Sequence, residues 1–254
     1  MTIIDRDRFK SLCNEYGGVF YEGSIGTYNE KRLHLILKHL VSCDVTEHET
    51  KLGKCIADVF DGNRIYEIQT GSLSPLSKKL DYYLNNTDHP ITVIKPFIAS
   101  KRIVRVDRET GEIIRSKKSP KRVTDANIYS ELCWIAEYLS DLRLEIIILL
   151  VEADEYRYSD DKVRYRKSGK YDSELFPRAI IDVKYFSSQE SFEYLLDTCK
   201  DKFSAKEFSA IHGFKGRELY RTLNMLCKLS LLERRKTPSG AYEYSKIPSK
   251  TEDT

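Results

Sequence analysis

The chain has 254 residues, 41% of them hydrophobic, enough to bury a real core and to exclude disorder as the default. The N-terminus is charged with no apolar stretch behind it and no apolar run reaches spanning length, so neither a secretory signal nor a membrane helix is written, and a soluble, cytoplasmic protein with no membrane partner is expected. The formal net charge of +3 hides an uneven distribution: residues 44–69 carry six acids and three bases, residues 95–122 ten bases and three acids, and residues 201–247 ten bases and five acids. A small acidic focus between basic segments suits chemistry on a polyanion, with carboxylates to hold cations and bases to hold phosphates. Surface charge scatter is the bland alternative. Six cysteines without a C-x-x-C pair sit mainly in apolar patterns and read as reduced, buried thiols, which argues against a zinc finger or a disulfide framework.

In chain order, residues 5–16 predict a short helix, broken by Gly17 and Gly18. A second helix runs from about Tyr28 to Val41, with Leu33, Ile36, Leu37, Leu40 and Val41 at helical spacing. Three extended runs follow, Glu47–Leu52, Cys55–Phe60 and Arg64–Thr70, with Asp61-Gly62-Asn63 as the turn between the last two. Ser74-Pro75 opens a helix to about Leu84, and Ile91–Phe97 reads as a buried strand, so strand, helix and strand imply a parallel crossover. Residues 102–116 suggest a hairpin around Glu109-Thr110-Gly111, Ile128–Leu139 a helix holding the sole tryptophan, Trp134, and Leu144–Val151 a strand covered on both faces.

These elements predict a mixed α/β sandwich over residues 1–160. The polar, tyrosine-rich stretch from Tyr156 marks a junction, and residues 161–184 are expected to form a basic linker. Residues 185–250 would form a second domain, in which 188–200, 204–212 and 216–232 show helical periodicity, with Leu219, Leu223, Leu226 and Leu229 or Leu232 on one face of the last. Two short strands around Pro238-Ser239-Gly240 close it. Helix, turn, helix and then a hairpin is the winged-helix order.

The chemistry concentrates on the meander. Phosphodiester hydrolysis needs a cation to stabilise charge at phosphorus and a positioned water, and hard cations select oxygen ligands. Asp58 and Glu67 lie on two strands joined by a tight turn, so a hairpin can bring both carboxylates to one end of a sheet. Strand periodicity sends Glu67 and Gln69 to one face, with the backbone carbonyl of Ile68 as a further ligand. Asp58 sits among Ile56, Ala57, Val59 and Phe60, where an uncompensated carboxylate would be costly.

A helix bearing Glu30, a β-meander bearing Asp58 and then Glu67-x-Gln69, and a following helix and strand resemble the PD-(D/E)XK, or restriction-endonuclease-like, nuclease superfamily over residues 28–97, and the rest of the first domain more loosely. The resemblance implies a restriction-endonuclease-like mixed sheet flanked by helices, followed by the winged-helix domain. It implies that Asp58, Glu67 and the Ile68 carbonyl hold Mg²⁺ or Mn²⁺ and that Glu30 assists. Gln69 stands where the family has lysine; an amide can orient water but cannot stabilise hydroxide by charge. Lys78, or its neighbour Lys79, on the next helix is the candidate replacement cation. Glu30 at a helix N-terminus has an electrostatic explanation as well. His34, one turn later, would pair with it or assist proton transfer. Glu49 is a minor candidate.

Basic residues outside the acidic focus supply candidate DNA contacts: Lys117, Lys118, Lys121 and Arg122 in SKKSPKR, Lys215, Arg217 and Arg221 on or before the last helix, and Arg234, Arg235 and Lys236 entering the wing. The leading expectation is a metal-dependent endonuclease acting on double-stranded or branched DNA. The rivals are a nuclease-like DNA-binding regulator without activity and a protein-interaction module. A symmetric cutter would require a homodimer.

Overall fold

A computed structural model describes residues 4–17, 28–107, 109–159 and 173–248, with the side chains of 28–31 and 159 excepted. It is an α+β protein with a large mixed sheet of seven strands flanked by helices, ordered β1-β2-β3-β4-β6-β7 with β5 paired to β4. Contacts divide the chain into two units. The first comprises residues 1–71, 93–123 and 147–184, and the second residues 72–92, 124–146 and 185–254.

In the first unit, α1 (Arg6–Gly17) buries Phe9, Leu12 and Cys13, and α2 (Tyr28–Val41) buries Leu33, Ile36, Leu37 and Leu40 at the expected spacing. The meander follows as β1 (His48–Leu52), β2 (Cys55–Phe60) and β3 (Ile65–Ile68), antiparallel throughout. Its β2–β3 turn is chemically specified. Asp61 accepts the backbone N–H groups of Asn63 and Arg64, and Gly62 takes the left-handed φ of 85° that a side chain would resist. β4 (Ile91–Asp107) is one continuous strand, where the sequence suggested a short strand and a separate hairpin. Its outer part pairs with β5 (Ile113–Lys118). β6 (Leu144–Ser159) begins with six consecutive buried residues, as a strand covered on both faces must.

Two expectations are corrected here. Residues 173–184, assigned to a linker, lie within β7 (Ser173–Phe186), where Ile180 and Phe186 are buried; the tyrosine-rich part from 160 to 172 lies outside the described residues. Of the six thiols, all free, Cys13 and Cys199 are buried, but Cys43 is exposed and Cys55, Cys133 and Cys227 are half-buried.

The second unit holds α3 (Ser77–Asn86), α4 (Asp125–Leu132), α5 (Ala205–His212), α6 (Gly216–Lys228) and a small antiparallel sheet of β8 (Lys202–Ser204), β9 (Leu232–Lys236) and β10 (Tyr242–Lys246), in the order β8-β10-β9. The predicted helix 128–139 is α4 followed by a 3-10 turn at Cys133–Tyr138, interrupted at Ile135, whose φ is −120°. The predicted helix 188–200 reduces to a 3-10 turn at Gln189–Leu195, whose three-residue Phe192–Leu195 spacing suits that tighter winding. Reciprocal capping boxes start α4 (Thr124, Asn127) and α5 (Ser204, Glu207), and Gly213 ends α5 at a φ of 72°. Tyr129 of α4 meets Phe186, Phe192 and Phe214 with ring centroids 6.0–6.4 Å apart. Packing of this kind groups 124–146 with the C-terminal helices instead of with the N-terminal sequence region. No helix among the described residues is long and apolar enough to cross a membrane.

Candidate cation site on the β2–β3 hairpin

Alternation along β2 buries Ala57 and Val59 completely and turns Asp58 to the other face. The ladder pairs Val59 with Tyr66 and Phe60 with Ile65 and ends there; continued by one step, it would set Asp58 opposite Glu67. Directly opposed residues share a face with their Cβ atoms roughly 5 Å apart. Asp58 Oδ2 accepts the N–H of Ile68 at 2.7 Å, while Oδ1 stands 3.2 Å from His34 Nε2 on α2, which packs against both strands. The Asp58 side chain is 13% exposed and Glu67 is 3% exposed. Gln69, half-buried just past β3, donates its N–H to the Ile94 carbonyl at 3.0 Å, which ties the Glu67-x-Gln69 segment to β4.

Glu30 belongs to α2, but its side chain lies outside those described. Glu49 forms an ion pair with the buried Lys38, so it serves that helix-to-strand contact instead of the carboxylate pair. Lys78 is exposed on α3, in the second unit, and its role as replacement cation rests on sequence position alone. Sequence reasoning missed Lys95. It is buried in β4 and donates from Nζ to the Thr70 carbonyl at 3.0 Å and the Gly71 carbonyl at 2.5 Å, fixing the chain just after Gln69. Its only sequence signal is a lysine inside an apolar run.

Two carboxylates brought together there would suit a hard divalent cation that keeps several waters and takes further oxygens from a phosphate, as Mg²⁺ commonly does. They do not make a closed cage: among the described residues, no group of three or more His, Cys, Asp or Glu side chains is placed to hold a metal ion.

The basic candidates separate by environment. Lys117, Lys118, Lys121 and Arg122 are exposed, and Arg122 donates to the Ser119 carbonyl at 3.0 Å. Lys215, Arg217, Arg234, Arg235 and Lys236 are also exposed. Arg221 differs, for its guanidinium lies 4.8 Å from the Trp134 ring centroid and donates to the Ser130 hydroxyl at 3.3 Å. It therefore serves the contact between α4 and α6.

Residues 31–187 match a domain family of unknown function, DUF8091, and the chain belongs to that family. The match begins in α2 and ends after β7, so it includes the β2–β3 hairpin and leaves α5, α6 and the small sheet outside. An uncharacterized protein of Treponema pallidum (strain Nichols) is 30% identical over 175 residues, covering 67% of this chain and 64% of the relative. No solved structure matches.

Proposed function

We propose that the first unit is a divalent-metal-dependent phosphodiesterase of the PD-(D/E)XK type acting on DNA. The observation that carries this reading is a pair of shielded carboxylates, Asp58 and Glu67, on adjoining strands of a hairpin preceded by α2 and followed by α3 and β4, which the ladder continued by one step would set opposite each other. Asp58 and Glu67 would hold Mg²⁺ or Mn²⁺ together with the Ile68 carbonyl, and a cation bound there would supply Lewis-acid stabilisation of charge at phosphorus. The Ile68 N–H holds one oxygen of the Asp58 carboxylate, and His34 Nε2 stands 3.2 Å from the other. Gln69 orients the attacking water, and Glu30 supports the ligand set from α2.

The order β8, α5, α6, β9, β10 supports a winged-helix reading of the C-terminal region, which would grip the substrate through Lys215, Arg217, Arg234, Arg235 and Lys236, while Lys117, Lys118, Lys121 and Arg122 add contacts from the first unit. Gln69 favours a second reading, a DNA-binding chain without hydrolysis.

The test is cleavage of supercoiled plasmid and branched DNA by the full chain with Mg²⁺ or Mn²⁺, against Asp58→Asn and Glu67→Gln. Nicking that both substitutions abolish is expected. DNA binding without cleavage on any substrate would transfer support to the second reading.

A further inference from the structure

Asp154 of β6 is 3% exposed and satisfied by two arginines, Arg102 Nε and Nη2 on Oδ1 and Oδ2 at 2.9 and 2.5 Å, and Arg178 Nη1 on Oδ2 at 2.8 Å. Both arginine side chains remain about half exposed, at 50% and 55%. They line a cleft of about 230 Å³ with Ser100, Lys118 and Glu152, in which three bases face two carboxylates. A guanidinium has five N–H donors in a rigid fork, and Asp154 uses only part of each set. The carboxylate therefore works as an anchor that holds two forks in place before any ligand arrives.

The hairpin above this cleft adds to the charge. Its register sets Arg102 opposite Lys118 and Arg105 opposite Arg115, like charges directly across the ladder, an arrangement that costs stability unless an anion sits on it. Arg105, Arg115, Lys117 and Lys118 make no ion pair among the described residues, and every residue of β5 is exposed. Lysines do protect sheet edges from pairing. Edge protection alone asks for neither an arginine opposite an arginine nor a buried carboxylate holding two more.

We propose that the Arg102–Asp154–Arg178 clamp, with Lys118, is a phosphate-binding site through which the β4–β5 hairpin tracks the sugar–phosphate backbone of DNA. The clamp row and the Arg105/Arg115 row are three residues apart and so fall on opposite faces of the two-stranded ribbon; a duplex groove that admits such a ribbon presents phosphates to both, where a lone phosphate fills only one. An anionic bilayer fits less well, because the tip of the hairpin carries Asp107, Glu109 and Glu112. The site stands apart from hydrolysis at Asp58 and Glu67 and holds even for a chain that never cuts.

The experiment is fluorescence anisotropy of the full chain on a short labelled DNA duplex in EDTA, over a series of salt concentrations. Lys118→Gln and Arg115→Gln touch only exposed side chains, and Arg178→Gln opens the clamp. Each is expected to weaken binding about five-fold and to reduce the slope of log affinity against log salt by about one, while Lys51→Gln on β1 leaves both unchanged. Unaltered binding by Lys118→Gln and Arg115→Gln overturns the proposal, as does a loss confined to Arg178→Gln, which marks a structural role. Binding to phosphatidylserine vesicles without DNA binding overturns it too. Because EDTA removes any cation, failed cleavage and failed binding remain separate results.

Discussion

If Asp58 and Glu67 hold a divalent cation, that cation must stabilise the folded chain even without substrate. Weak all-oxygen cation sites lie at about 0.1–1 mM, and a shell of two carboxylates and water falls at the weak end of that range, about 1 mM. At about 10 mM Mg²⁺ the linkage relation then adds about 1.4 kcal/mol, a rise of roughly 3–5 °C in the melting temperature for a chain of this size. Asp58→Asn keeps an oxygen that can accept the Ile68 N–H, and Glu67→Gln is isosteric, so each removes charge while leaving the hairpin able to form. Calorimetric melts in Mg²⁺ and in EDTA, matched for ionic strength, should show the rise in the native chain and less than about 1 °C of it in either variant. An equal rise in all three proteins would show that Mg²⁺ binds elsewhere. No rise in the native chain would remove the cation from this hairpin and hydrolysis along with it.

Acid should weaken the fold. Burial lowers the pKa of His212, against a smaller upward pull from its hydrogen bond to the Leu195 carbonyl, and burial together with the neighbouring His48 lowers that of His39. Both stay neutral in the fold at pH values where the unfolded chain takes up protons, so their contribution is complete above the ordinary histidine pKa of about 6.5 and is lost as pH falls through the depressed folded values. Melting temperature should drop from neutral towards pH 5, and a double His39→Gln, His212→Gln variant should show a shallower slope; an unchanged slope would refute this assignment. Leu223 of α6 is fully buried, and Leu223→Ala should cost about 2–5 kcal/mol in urea unfolding, a large part of the stability of an ordinary domain.

Local chemistry made the hairpin and the meander readable. Asp61-Gly62-Asn63 can scarcely be anything but a turn, and with the turn fixed, the alternation of CIADVF decides which residues oppose which. That is why the sequence alone could offer Asp58 and Glu67 as a pair. The run LEIIILLV likewise announces a strand covered on both faces. The continuity of β4 was hidden because its character changes midway, from the buried ITVIK to a KRIVRVD stretch whose partner is the exposed β5. The Arg102–Asp154–Arg178 clamp left no local trace, since its members are 52 and 24 residues from the carboxylate they share and only β-sheet packing brings them together.

The same contrast governs α6. Sequence reasoning gave it an apolar face and offered Arg217 and Arg221 as DNA contacts, and the structure adds a polar flank. Glu218 accepts from Asn127 at 2.6 Å, Arg221 donates to Ser130 at 3.3 Å and Asn224 donates to the Cys133 sulfur at 3.7 Å, a constant offset of 91 residues that marks two helical segments lying side by side in step. The polar flank is therefore committed to α4 and its 3-10 extension. Arg217, Tyr220 and Lys228 remain exposed, at helical spacings that put them along one stripe. If this helix meets DNA it does so with Arg217, Lys228 and an aromatic ring, without the Arg221 that the sequence also offered. More of the electrostatic attraction must then come from Arg234, Arg235 and Lys236 on β9 and from the unpaired bases of the β4–β5 hairpin.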